Sequence, residues 1–274
     1  MHVMNEERTN PLRQLMQLQQ AGPGMWSFPV TARVASRRGN FWGGAGLAGG
    51  IEAMETETGR PLIWATAHFI STAKPPAVMT MSVEELARGG SISQARATLR
   101  DGDSLVAIVD AALGARDGSR DAVWLHRPDV PPPGACAPVP GFAQRAGRIT
   151  DEMEFRTVDG RFGPASDAAA AATGRVRVWG RMISAPVTAG AIAIMADCLP
   201  SVMYDLFGDF AGVSSLDNTV RMVSRAPSAW LLFEFGLAGL GAGIGHGQTR
   251  IWNETGDLIA LAGQSFVARF QRKE

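Results

Sequence analysis

SSLDNTVRMVSRAPSAWLLFEFGLAGLGAGIGHGQTRIWNETGDLIALAGQSFVAR, Ser214 to Arg269, holds four β-type runs separated by turn residues. The runs are SSLDNTVRMV, AWLLFEFGLAG, GQTRIW and LIALAGQSFVAR, in which apolar and polar positions interleave as a half-buried strand requires. The connections are short, so neighbouring runs pair antiparallel. Upstream, APVTAGAIAIMADCLPSVMYDLF (Ala185 to Phe207) reads as a helix from about Val187 to Phe207. Ser184 or Ala185 stands at its cap, and Pro186 fits the first turn, where a missing N–H costs nothing. This helix is apolar nearly all round, which predicts burial on most of its surface and makes the carboxylate of Asp197 unusual there.

The same order occurs earlier. FWGGAGLAGGIEAMETET (Phe41 to Thr58) opens on glycines and continues as a helix; RPLIWATAHFI, AVMTMSVEEL, ISQARATL and SLVAIVDAALG follow as strands. Adding 154 to a residue number carries Leu62 to Leu216, Leu86 to Leu240, Gly89 to Gly243, Arg96 to Arg250, Gly102 to Gly256 and Asp103 to Asp257. Those identities alone do not establish a duplication; the shared order of elements is the stronger evidence. RDGDS and ETGDL each place a Gly-Asp pair at a hairpin turn. Between the halves, RPDVPPPGACAPVPGF (Arg127 to Phe142) concentrates proline as an extended connector does. The expected fold is α+β: two tandem units at 22–126 and 149–272, joined by a linker at 127–148, each with a long helix packed on an antiparallel sheet.

Composition narrows the function. The chain of 274 residues is 46% hydrophobic, enough for a real core. Lys plus Arg equals Asp plus Glu at 26, so no basic field is present to neutralise a phosphate backbone, and nucleic acid is not an expected partner. The N-terminus has no apolar segment of signal-peptide length, and no uninterrupted run of eighteen apolar residues occurs; a cytoplasmic protein without a membrane span is expected. Cys136 and Cys198 form neither a disulfide framework nor a metal-ligand spacing. HExxH, P-loop, CxxC and GxSxG signatures are absent, and His2, His68, His126 and His246 are scattered. Neither a metal nor another cofactor is expected.

What remains is a polar set in the second half: Asp197 in the apolar helix, Ser215 and Asp217 at the start of a strand, and Gln264 inside the last strand. Burying such groups costs a few kcal/mol unless they bond to one another or to water. In this order, FWGG, RPLIWATAHFI, ARGGSISQAR, an Asp in the second helix, SSLDNTV, AWLLFEF and GQTRIWNETGDLIALAGQSFVAR resemble acyl-CoA thioesterase II, from about Trp26 to Arg269. The resemblance implies a double hotdog fold, an acyl-CoA substrate and a hydrolytic water held and activated by Asp197, Ser215 and Gln264. Serine stands where that family has threonine, Asn218 where it usually has His, and Ser265 where it usually has Glu. The chemistry is coherent in itself. A carboxylate takes a proton from water while a hydroxyl and an amide orient it, and helix N-termini or free backbone N–H groups supply the oxyanion donors.

Subtracting 154 carries Ser215 to Pro61 and Gln264 to Asp110, with Glu52 and Glu55 near the place of Asp197, so one functional site per chain is expected, in the second copy. The first copy supplies part of the pocket wall. Gly239, Gly241, Gly243, Gly245 and Gly247 alternate, which on one strand would present a bare face to a pantetheine arm or acyl chain or mark a crowded strand crossing. Gly241, Gly243 and Gly245, with His68, are therefore candidate substrate contacts. The alternative to a hydrolase is a catalytically silent acyl-thioester-binding or scaffold protein. Hotdog units ordinarily pair, and a homodimer of chains is a mild preference.

Overall fold

The computed structural model describes residues 10–116, 120–142, 147–160, 162 and 173–271. In chain order the strands are β1 (Gln19–Gly22), β2 (Met25–Pro29), β3 (Leu62–Phe69), β4 (Val78–Arg88), β5 (Ile92–Asp101), β6 (Ser104–Gly114), β7 (Ala137–Pro138), β8 (Met153–Asp159), β9 (Arg175–Met182), β10 (Phe210–Ser215), β11 (Asp217–Met222), β12 (Leu231–Gly241), β13 (Ile244–Asn253) and β14 (Leu258–Phe270). The helices are α1 (Pro11–Met16), α2 (Gly43–Thr58), α3 (Ala189–Ala196) and α4 (Met203–Leu206). All strands join one antiparallel sheet in the order β1-β2-β4-β5-β6-β3-β11-β14-β13-β12-β9-β8-β7, with β10 also paired to β14. Around the β3–β11 seam the order is mirrored. At that seam Asp217 faces His68 and Thr219 faces Thr66, whose hydroxyls bond at 2.9 Å.

The mirrored pairing corrects the uniform spacing of 154. Ala65, Ala111 and Ala95 form one inward row across β3, β6 and β5; Val220, Ala262 and Thr249 form the matching row across β11, β14 and β13. Only Ala95 and Thr249 keep the expected spacing. The β5–β6 hairpin turns tightly between Asp101 and Ser104, whereas β13 and β14 turn sooner, with Trp252 paired to Leu258 around a wider loop. Two residues along, Ser93 pairs with Leu113 where Gly247 pairs with Gln264, so the counterpart of Gln264 is Leu113 and not Asp110. Asp110 points to the outer face, where Arg96 binds both its carboxylate oxygens.

The long second helix is also broken. α3 stops at Ala196, a 3₁₀ turn covers Leu199–Val202, and α4 resumes at Met203. Pro200 has no N–H to offer the carbonyl of Ala196, and the chain switches to tighter bonds, Cys198 N to Met195 O and Ser201 N to Cys198 O. By length and composition, Ala189–Leu206 could cross a membrane, but 72% of it is buried inside the protein, as in a core element.

The connector does more than join. Ala137–Pro138 pair with β8 as an edge strand, Pro131 accepts a bond from Trp179 Nε1 at 2.8 Å, and Val139 is buried. The glycine series does not lie on one strand. Ala242 and Gly243, with φ of 49° and 77°, make the β12–β13 turn, leaving Gly239 and Gly241 on one arm and Gly245 and Gly247 on the other. A Cβ at Gly245 would strike the Phe266 ring, and one at Gly247 would lie 2.8 Å from Leu199, so those two mark crowded crossings.

α2 and α3 cross on glycines. Gly44 lies against Ala193 O and Asp197, and Gly190 against Glu52 and Leu12. Leu12, Leu15 and Met16 of α1 are buried in the same core. The carboxylate of Glu52, only 4% exposed, accepts from Asn10 Nδ2 at 2.8 Å and pairs with Arg13 at 3.3 Å. Burial holds its pKa above the usual carboxylate range despite Arg13. Arg13→Ala therefore strands a buried carboxylate, and we expect a loss of about 3 kcal/mol in urea unfolding at pH 8. The loss is smaller at pH 5, where a carboxyl with its pKa raised further takes up a proton; a pH-independent change would contradict this assignment.

Candidate active site

Asp197 stands immediately after α3, and the α2–α3 crossing brings it to the start of α2. Its Oδ2 accepts from Gly44 N at 2.8 Å; its Oδ1 accepts from Gln264 Nε2 at 2.6 Å and from Asn218 Nδ2 at 3.4 Å. Gln264 Nε2 also donates to Ser215 Oγ at 2.7 Å. The three residues singled out in the sequence thus share one network. Strand alternation explains the aim of Gln264 and of Asn218: both face inward, whereas their neighbours Ser265 and Asp217 face out. Asn218 and Gly44 are not among the site residues expected from sequence: Asn218 stands out there only as a difference from the thioesterase II pattern, and Gly44 only by its place in FWGG.

Burial raises the pKa of Asp197 to about 7, against the bonds from Gly44, Gln264 and Asn218, which pull it down. The negative end of α3 adds to the rise, and the positive end of α2 opposes it. A carboxylate accepts and does not donate, so Gln264 must turn its NH2 toward Asp197. Ser215 Oγ then accepts from that NH2 and keeps its own proton free for another partner. Gln264 Oε1 is buried with no donor among the described residues. The first N–H of α2, on Gly43, likewise has no acceptor among them.

Asp197 and Ser215 line a cavity of about 700 Å³. Phe41, Phe69, Val106, Tyr204 and Phe210 give it apolar walls, Gly43 contributes the start of α2, and Pro140 to Phe142 of the connector complete it. Both halves of the sheet therefore build the cavity. His68 is exposed on the outer face opposite Asp217, and neither it nor Gly241, Gly243 or Gly245 lines the cavity. Ser265 also lies on the outer face, donating its N–H to Asp217 at 2.5 Å and placing its hydroxyl 3.1 Å from His246 Nδ1. Its difference from the family pattern does not reach the Asp197 network. Both cysteines are free and buried, burial pushing both thiols up in pKa. Among the described residues no three His, Cys, Asp or Glu side chains gather as metal ligands.

No curated protein matches the sequence. Among solved structures, a thioesterase candidate from Novosphingobium aromaticivorans is 26% identical, with a TM-score of 0.80 over 92% of this chain and 98% of its own. A protein of unknown function with a hot dog fold from Alicyclobacillus acidocaldarius is 19% identical, with a TM-score of 0.84 over 96% and 100%. Acyl-CoA thioesterase II from Mycobacterium marinum is 17% identical, with a TM-score of 0.73 over 96% and 98%. These likenesses establish the hotdog fold. The family model described as the acyl-CoA thioesterase C-terminal domain matches residues 131–268, half of the chain. The chain belongs to the acyl-CoA thioesterase family and is a thioester hydrolase.

Proposed function

We propose that this protein hydrolyses an acyl-CoA thioester to a free carboxylic acid and CoA through a water activated by Asp197. The observation that carries the proposal is the shared network of Asp197, Ser215 and Gln264 beside the cavity, with a carboxylate whose pKa lies near 7. Asp197 takes one proton from water as the water oxygen attacks the thioester carbon. Ser215 orients that water from the cavity wall, and Gln264 fixes both Ser215 and Asp197 through its NH2. The carbonyl oxygen becomes an oxyanion facing the free N–H of Gly43, where the start of α2 adds its partial positive charge. Collapse of this intermediate breaks the C–S bond, and the proton held by Asp197 passes to the leaving thiolate. Water, acyl group and thiol balance without a cofactor.

The mirrored strand order supports a reading as tandem hotdog units in 22–126 and 149–272 with one working site. The place of Asp197 is taken by Glu52, which Asn10 and Arg13 tie up, and that of Gln264 by Leu113. The test is thiol release from acyl-CoAs of short, medium, long and aromatic chain. Turnover of at least one is expected, with kcat/KM rising as pH rises through about 7 as Asp197 loses its proton. Asn218→Leu removes a donor from that carboxylate and should move the inflection to higher pH. Binding of acyl-CoA without thiol release from any of them would instead point to a silent binding protein.

A further inference from the structure

The cavity rim carries charge that the hydrolytic chemistry does not use. Arg37, Arg38 and Arg269 line it from separate parts of the chain, and all three are exposed. Several arginines elsewhere meet carboxylates, Arg88 with Glu85, Arg96 with Asp110, Arg177 and Arg250 with Glu234, Arg181 with Glu154, while Arg60, Arg100 and Arg225 lie away from the cavity on backbone carbonyls. At the rim, Arg38 donates to the carbonyl of Ala211, and Arg269 to Ser214 Oγ at 2.7 Å and Val213 O at 3.5 Å; neither has a carboxylate partner among the described residues. Glycines underlie two of these side chains: a Cβ at Gly212, where φ is 139°, would overlap Arg38 Nη1, and one at Gly141, where φ is 92°, would lie 3.1 Å from Arg37 Nη2.

A carbonyl or hydroxyl partner positions a guanidinium without neutralising it, and a planar fork of N–H donors matches phosphate oxygens. The geometry points to Arg38 and Arg269, flanked by Arg37, as the site that grips the phosphates of CoA while its pantetheine arm enters the apolar cavity toward Asp197. This rests on the hydrolase reading above and adds to it the residues that select the CoA end of the substrate. CoA carries a diphosphate and a 3′-phosphate, enough for more than one guanidinium; a carrier-bound phosphopantetheine brings a single phosphodiester.

The test uses Arg38→Gln with Arg269→Gln, which removes both charges and keeps an N–H donor at each position. For the full-length protein, kcat/KM for an acyl-CoA is compared with that for the same acyl group on pantetheine, which has no phosphate. The wild-type preference for the CoA ester is expected to fall at least about tenfold in the double variant and to be salt-dependent in the wild type. Arg88→Gln, which lies in an ion pair away from the cavity, should keep the wild-type preference. A preference left intact by the double variant overturns the proposal, as does an equal loss on both esters. Calorimetry with CoA alone separates this from failure of the hydrolase reading. Its Kd should weaken at least about tenfold in the double variant whether or not any ester turns over, and an unchanged Kd sinks the assignment. With dephospho-CoA and 4′-phosphopantetheine as probes, affinity falling with each phosphate removed supports CoA, whereas equal affinity for all three points to a single-phosphate carrier and overturns it.

Discussion

Asp197→Asn is expected to lower the rate of thioester hydrolysis by about a thousandfold and, at the same time, to make the protein more stable at pH 8. The loss follows from removing the proton acceptor, since positioned general bases contribute roughly 10² to 10⁴ in rate. The gain follows from burial. In the folded protein Asp197 has a pKa of about 7, far above the ordinary aspartate value, so the fold prefers the protonated acid. Well below pH 4 the carboxyl is protonated whether folded or not, and its ionisation costs nothing. As pH rises toward 7 the unfolded chain ionises more readily than the folded one, and stability falls; above 7 the full cost is present. An amide in its place carries no charge to desolvate. It can still accept from Gly44 N, and rotation of the Gln264 and Asn218 amides would present their oxygens to the new N–H group, so the local bonds can be kept. The thermal midpoint of the variant should exceed that of the wild type by several degrees at pH 8 and by much less at pH 5. A wild-type rate would remove Asp197 from the mechanism. A midpoint difference equal at the two pH values would remove the buried-charge account.

How much of this was legible in the sequence depends on the range over which each feature is decided. Asp197 and Gln264 stand out because each interrupts an apolar run, and the order of motifs supplied Ser215 between them. Strand positions follow from local alternation and turn residues. Asn218 and Gly44 are different: one enters the site through the inward pleat of β11, the other through a helix crossing between segments far apart in sequence. Neither residue type announces this. The rim arginines come together only when the loop before α2 meets the end of β14, which no local pattern encodes.

At several points local geometry overrules a regular pattern in the sequence. A uniform spacing between halves assumes equal hairpin arms, and the β13–β14 hairpin turns sooner than β5–β6; one shifted strand is enough to exchange Asp110 for Leu113 as the counterpart of Gln264. The alternating glycines read as one strand because nothing in the period of two marks where Ala242 and Gly243 reverse the chain. Pro200 ends the regular helix, as a proline does by withholding an N–H. Continuous apolar character on either side hid the break, and that break lets Leu199 drop onto the bare backbone at Gly247.

The α2–α3 crossing yields the second large effect, through an asymmetry between its two glycines. A Cβ at Gly44 would lie 2.8 Å from Ala193 O, 2.8 Å from Asp197 Cβ and 2.9 Å from Ile194 Cα. Two of those atoms are helix backbone and cannot turn aside, so Gly44→Ala must push the start of α2 away from α3. We expect a cost of about 3 kcal/mol, at the upper end for one added methyl group in a packed core. The same displacement lengthens the bond from Gly44 N to Asp197 and shifts the Gly43 N–H, so kcat/KM should fall about a hundredfold, as misplacement of catalytic groups by about an ångström does. At Gly190 the closest atom, 2.6 Å away, is Leu12 Cδ2, the tip of a flexible side chain; Glu52 Oε1, at 3.3 Å, must give by a few tenths of an ångström, and Ala48 Cβ, at 3.5 Å, is in ordinary contact. Gly190→Ala also gains up to about 1 kcal/mol of helix propensity, which offsets much of the crowding. Its urea midpoint should stay close to wild type and its kcat/KM within about threefold. Equal losses from the two substitutions would mean that the start of α2 is not what holds Asp197 in place. A larger loss at Gly190 would move the working site to the Glu52 side of the crossing.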